Sequence, residues 1–183
     1  MFFIPPTTLV VQDREGLLSY TRDDLIKYAG HERLIASAVV MRLFYEAFKD
    51  LSPLEPPYRD EIYIISSYPG KGVRDCIEMV TRSVTERRFE YLPDIAPESA
   101  PRTPIGGAMY FRVSYRGKAF SYTFSSDILN SKWCSEVIEN QEGSASIEQH
   151  ATYMNYKFKV VADLLTRPDA VLSTRLLDNQ EGI

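Results

Sequence analysis

The chain has 183 residues, 44% hydrophobic and 12% aromatic, enough apolar material for one domain to bury a core without disulfide or metal staples. Its formal net charge is only −4, with acidic and basic residues interleaved, which speaks against a broad nucleic-acid or membrane-binding surface. Two cysteines, Cys76 and Cys134, lie far apart, pointing away from a disulfide framework and toward a reducing, cytoplasmic setting.

The opening MFFIPPTTLVVQDRE has no basic n-region and is broken by Pro5 and Pro6, so neither a signal peptide nor a spanning helix is expected. Its apolar run, Thr8 to Val11, reads as an edge strand or an arm lying on a neighbour. Thr21 and Asp24 have the spacing of a capping box, and Leu25, Ile26 and Tyr28 begin a short helix that Gly30 ends. From Glu32 to Asp50 the sequence is apolar on nearly every face, Arg33, Arg42, Glu46 and Lys49 excepted. That is the pattern of a core helix surrounded by protein.

Glu61 to Val84 is the most legible stretch. Ile62, Tyr63, Ile64 and Ile65 form a β-branched and aromatic strand, which Pro69, Gly70 and Gly72 stop. The period then changes to one helical face, Val73, Cys76, Ile77, Val80 and Val84, in a helix running to near Glu86. Arg88 to Leu92 reads as a second strand, and the proline-rich residues 93–106 as an irregular surface excursion of the kind that borders sites. AMYFRVSY and KAFSYTFS alternate in period two across Arg116 and Gly117, the signature of a hairpin. Ser126 or Asp127 is placed to cap a helix through Ile128, Trp133 and Ile138 that Gly143 ends. The last long helix, Ser146 to Thr166, carries Ile147, Ala151, Met154, Phe158, Val161 and Leu165 at alternating spacings of four and three. Such a stripe packs along its length against another helix, internal or in a second copy of the chain. A short apolar run, Ala170 to Leu172, follows. The expected fold is α+β, a mixed or antiparallel sheet packed against long helices on one face. Residues 1–20 are read as an N-terminal arm, 21–167 as the core domain and 168–183 as a C-terminal tail.

The turn Gly70-Lys71-Gly72 lacks the longer glycine loop and following Ser or Thr of a phosphate-binding Walker loop. It is either a carboxylate or phosphate pocket built from helix N–H groups, Lys71 and Arg74, or a plain strand-to-helix connection with solvated cations. Asp75 in the first turn is accounted for by the helix dipole, and Glu78 with Arg82 by an i,i+4 pair. His31, His150, Cys76 and Cys134 are the only soft ligands, and none forms a close pair. A zinc or other transition-metal site would have to be assembled from His31, Cys134 and His150, each on a different element. The alternative is a packed cysteine and hydrogen-bonded histidines. Tyr110, Tyr115 and Tyr122 on the hairpin suit an interface better than a stacked ligand. No complete catalytic signature is present.

Taken together, Gly30-His31 opening an all-apolar helix, then a strand, a turn, Val-Arg-Asp-Cys-Ile-Glu-Met-Val-Thr, a proline-rich segment and the hairpin at Tyr110-Phe111 resemble the core domain of the FmdE-like family of formylmethanofuran dehydrogenase components, over residues 22–125. The resemblance implies an α+β core, a dimer, association with a molybdenum or tungsten formylmethanofuran dehydrogenase in one-carbon metabolism and, in many members, a bound transition metal. Members with the metal pattern read His-Gly-His-x-Cys-Pro-Gly, where this chain has Ala29-Gly30-His31-Glu32-Arg33-Leu34-Ile35. Before the second helix the pattern Cys-x-x-Asp-Ala-Ile becomes Gly72-Val73-Arg74-Asp75-Cys76-Ile77. Arg33 and Gly72 thus stand where thiolates are found, and Arg74 follows closely. A pocket that exchanges thiolates for guanidinium groups should prefer an anion to a divalent cation. The expectation is a homodimer with a degenerate metal site, whose pocket holds a small anion through His31, Arg33, Lys71, Gly72 and Arg74, with Asp75 as orienting partner. The competing expectation is an interaction module that docks onto a redox enzyme without a ligand of its own.

Overall fold

The computed structural model describes residues 7–140 and 146–176. Thr8–Gln12 and Leu17–Thr21 pair antiparallel as β1 and β2. The Asp13 carboxylate closes the turn between them by accepting from the N–H groups of Glu15 and Gly16. Alternation along β1 turns Leu9 and Val11 inward, where they join the main core. The expected N-terminal arm is therefore, from Thr8 on, a packed hairpin. The sequence carries little sign of β2, because LLSYT leaves Leu17 exposed and buries no residue fully.

Thr21 caps α1 (Arg22–Ala29) as expected. Its Oγ1 accepts from the Asp24 N–H at 3.3 Å and its own N–H donates to the Asp24 carboxylate at 2.9 Å, worth about 1 kcal/mol of helix stability. Gly30 ends the helix at φ 105°, where a side chain would be strained. The core helix is α2 (Leu34–Leu51), whose residues from Ala38 to Phe44 are all out of solvent. Arg42 lies among them, and a guanidinium there must be paired. It meets Glu46 at 2.8 Å and donates to the Pro168 carbonyl at 3.0 Å, fastening α2 to the C-terminal segment.

The strand expected at Ile62 is β3 (Ile62–Ser66). It leads through α3 (Lys71–Thr81) to β4 (Phe89–Tyr91), which pairs parallel to it. The expected hairpin is β5 (Tyr110–Tyr115) and β6 (Lys118–Phe124), joined by Arg116 and Gly117 at φ 49° and 73°, the two left-handed residues of a type I′ turn. β7 (Val171–Arg175) adds antiparallel to β6, so the segment expected as a tail supplies an edge of the sheet. The order is β4-β3-β5-β6-β7, a mixed sheet in an α+β fold. α2 lies against β5, β6 and β7, with α3 beside it over the same face.

α3 stops at Thr81, short of Glu86. Arg82 takes a left-handed conformation at φ 58°, and Glu78 bends back over the break. Its carboxylate accepts from the N–H groups of Val84 at 2.8 Å and Thr85 at 3.2 Å, and from the Thr85 hydroxyl at 2.5 Å. Burial pushes the Glu78 carboxyl up, but these bonds and Arg82 outweigh it and hold it below its usual range.

α4 (Ser131–Glu139) is capped by Asn130, which accepts from the Trp133 N–H at 3.1 Å, rather than by Ser126 or Asp127. Gly143, expected to end it, lies outside the described residues. α5 (Ile147–Thr166) starts at Ser146, whose capping box with Gln149 fits the expected boundary. Its apolar stripe is covered only in part, with Met154 and Leu165 half-buried against the core. Val160, Val161 and Leu164 pack inward, while Ile147 is 92% and Phe158 52% exposed. Among the described residues no helix is long and apolar enough to cross a membrane.

Candidate functional site

The first turns of α2 and α3 touch. A Cβ built on Gly72 would stand 2.7 Å from Cδ of Arg33 and 3.2 Å from Cβ of Ala36, so the absence of a side chain lets the Arg33 stem lie across α3. Gly70, the N-cap of α3, makes similar room. A Cβ there would sit 2.3 Å from the Tyr68 ring, so glycine lets that ring fold back over the helix start. The expected Gly-Lys-Gly turn is therefore not a turn. Lys71 and Gly72 already lie in the first turn of α3, and the Arg74 N–H donates to the Gly70 carbonyl at 3.2 Å.

Arg33 and Tyr68 thereby line a cavity of about 310 Å3. Its walls are Glu32, Arg33, Ile35 and Ala36 at the start of α2, Val73 of α3 and Met109 before β5. Trp133, Val137 and Asn140 come from α4 and its end, and Tyr153 and Lys157 from α5. Two cations, Arg33 and Lys157, face one carboxylate, Glu32, which pairs with Arg33 at 2.7 Å. The Lys157 ammonium donates to the Glu32 carbonyl at 3.3 Å and sits 4.6 Å from the centre of the Tyr153 ring. Burial pulls the Lys157 ammonium down from the usual lysine value; Glu32 opposes this and Arg33 adds to it. Burial raises the phenols of Tyr68 and Tyr153, so both are neutral hydroxyls at neutral pH. Trp133 is 2% exposed and its Nε1–H has no hydrogen-bond partner among the described residues. The lining thus sets two cations and further hydrogen-bond donors beside apolar and aromatic side chains, an arrangement that can receive acceptors.

A larger depression of about 870 Å3 lies against the opposite face of the sheet, but Arg112 is its one charged lining residue. That guanidinium already donates to the Tyr110 hydroxyl at 3.3 Å.

Of the residues expected to hold an anion, Arg33 lines the cavity and Gly72 lies beneath it. His31, Lys71 and Arg74 are exposed and Asp75 is half-buried, and none of the four lines the cavity. The helix-start corner and the cavity thus meet at Arg33, while the corner's other cations lie apart from it. The expected metal set is not brought together. His31 and His150 are exposed on separate elements, and the Cys134 thiol donates to the Arg102 carbonyl at 3.4 Å. Among the described residues no three His, Cys, Asp or Glu side chains gather as a metal would require, so the donor set for zinc or another transition metal is lacking. Cys76 is buried and its thiol is pushed up to about 12, mainly by burial, which fits the expectation that it faces the core.

Trp133, Asn140, Tyr153 and Lys157 were not legible as site residues. In sequence Trp133 reads as part of the α4 stripe. Lys157 offered a weak signal, a cation set between Met154 and Phe158 of the apolar stripe. In a comparison with models of known protein families the chain matches none, and no curated protein matches it.

Proposed function

We propose that the protein binds a small anion in this cavity, in an accessory or ligand-carrying role in one-carbon or redox metabolism, as a relative of the FmdE-like formylmethanofuran dehydrogenase components with a degenerate metal site. One observation carries the reading. The two positions that correspond to thiolates in the family pattern, Arg33 and Gly72, are packed together, and Arg33 lines the cavity. Where two thiolates would share a cation, one guanidinium stem now lies over a glycine. With Lys157 it puts two positive charges on the cavity lining against its one carboxylate, Glu32, while Glu136 acts on Tyr153 from outside the lining. Calorimetric titration with acetate and inorganic phosphate at low salt tests this. Binding that weakens at least tenfold in Arg33→Gln and in Lys157→Gln, with thermal stability kept, is expected. If neither anion nor any larger acid binds the folded protein, the proposal fails.

A second reading, a homodimer that docks onto a redox enzyme, is favoured by β7. Leu176 N–H bonds the Ala119 carbonyl and Ser125 N–H bonds the Ala170 carbonyl, which fixes the even-numbered residues of β7 as those bonded to β6. The N–H and C=O groups of Val171, Ser173 and Arg175 therefore point to the outer edge, where no described strand pairs with them. Antiparallel pairing of two copies about Ser173 would satisfy all three residues from each chain. Light scattering at micromolar concentration tests it: a dimer that Ser173→Pro dissociates is expected, and a wild-type monomer ends the reading.

A further inference from the structure

The geometry points to an aromatic carboxylate as the ligand class of the Arg33 and Lys157 cavity, with the acid head at these two cations and a flat ring against Tyr68, Trp133 and Tyr153. The inference rests on the anion reading above and narrows it. An inorganic anion would use only the cationic end and leave the rest of the lining unmatched, where Ile35, Val73, Met109 and Val137 are apolar. The cavity of about 310 Å3 has room for a substituted ring or fused bicycle with a short acid arm. An alkyl acid of that volume would fill the apolar part as well. Three aromatic side chains on the lining separate the two, because an offset or edge contact with a ligand ring adds about 2- to 10-fold in affinity per pair beyond area alone. The Lys157 ammonium already rests on one of these rings, so the charged end and the aromatic wall adjoin.

Trp133 is the only tryptophan in the chain, so its fluorescence reports on the cavity directly. The full chain is titrated with benzoate and 2-naphthoate, with octanoate (charge without ring), benzyl alcohol (ring without charge) and inorganic phosphate (charge alone). Heat is read for all five ligands and Trp133 emission for the non-fluorescent ones. The expected result is that the aromatic acids bind at least tenfold tighter than the other three, that benzoate shifts the Trp133 emission, and that Lys157→Gln and Arg33→Gln each lose at least tenfold. If octanoate or phosphate binds as well as benzoate, the aromatic assignment is overturned while the anion reading stands. If benzyl alcohol binds as well as benzoate, or no compound binds, both are overturned. Circular dichroism of each variant guards against loss of fold, and the two variants perturb different helices, so one suffices if the other unfolds.

Discussion

Gly72→Ala, made in the wild type and in Arg33→Ala, measures the contact on which the site is built. In a helix alanine is better than glycine by up to about 1 kcal/mol. Against that, the new methyl would stand 2.7 Å from Cδ of Arg33, inside any normal contact. Overpacking of this kind costs about 1–3 kcal/mol, so the net change in the wild type is a loss of about 0–2 kcal/mol. In the Arg33→Ala background only the 3.2 Å contact with Cβ of Ala36 remains, which a shift of a few tenths of an ångström relieves. There Gly72→Ala should be neutral or stabilising by up to about 1 kcal/mol. The coupling between the two positions is then about 1–3 kcal/mol. Urea unfolding of the four proteins, followed by circular dichroism and Trp133 fluorescence, gives the cycle. A Gly72→Ala effect that is the same in both backgrounds would refute the packing of Arg33 over α3.

Other consequences are open to simpler assays. Glu78→Gln should destabilise by about 1–3 kcal/mol at neutral pH, since three acceptor contacts at the end of α3 lose their charge. Because the folded Glu78 carboxyl is held below its unfolded value, its contribution is full above the unfolded value near pH 4.3 and is lost as pH falls through the folded one. The variant should therefore lose less stability on acidification than the wild type, and parallel curves in a pH series of urea midpoints would count against this role. Arg42→Ala should cost about 3–5 kcal/mol and Arg42→Met clearly less, because the first leaves Glu46 short of its buried partner without filling the space; equal midpoints for the two would contradict that. Native Cys76 should resist a thiol reagent at pH 8 until the protein unfolds, since its thiol is held near 12, and prompt labelling of Cys76 in the folded state would show the opposite. Affinity for any anion should fall as pH rises through the Lys157 value, since only the ammonium form attracts it.

Much of the scaffold could be read from local pattern. The change from period two to a helical period at Gly70 located β3 and α3, and Arg116-Gly117 located the β5–β6 hairpin, because each signal is contained within a few residues. Where tertiary contacts decide, reading failed. α3 ends at Thr81 because Glu78 reaches forward to Val84 and Thr85, which looks in sequence like an ordinary i,i+4 pair with Arg82. On α5 the heptad-like spacing is real, but the structure buries Val160, Val161 and Leu164 and leaves Ile147 and Phe158 to solvent. The site divides the same way. Arg33 and Gly72 begin the two helices that flank β3 in the chain and were singled out by setting the sequence against the family pattern it resembles. Trp133, Tyr153 and Lys157 reach the cavity only after α4 and α5 fold over it, and no spacing rule links them to Arg33.

The most direct measurement is the affinity of benzoate for the wild type and for Arg33→Gln/Lys157→Gln, by calorimetry at neutral pH and low salt. A cavity whose two cations hold the acid head should bind benzoate in the wild type and lose at least a hundredfold in the double variant, with an unchanged melting temperature. Equal affinity in the two proteins would contradict it.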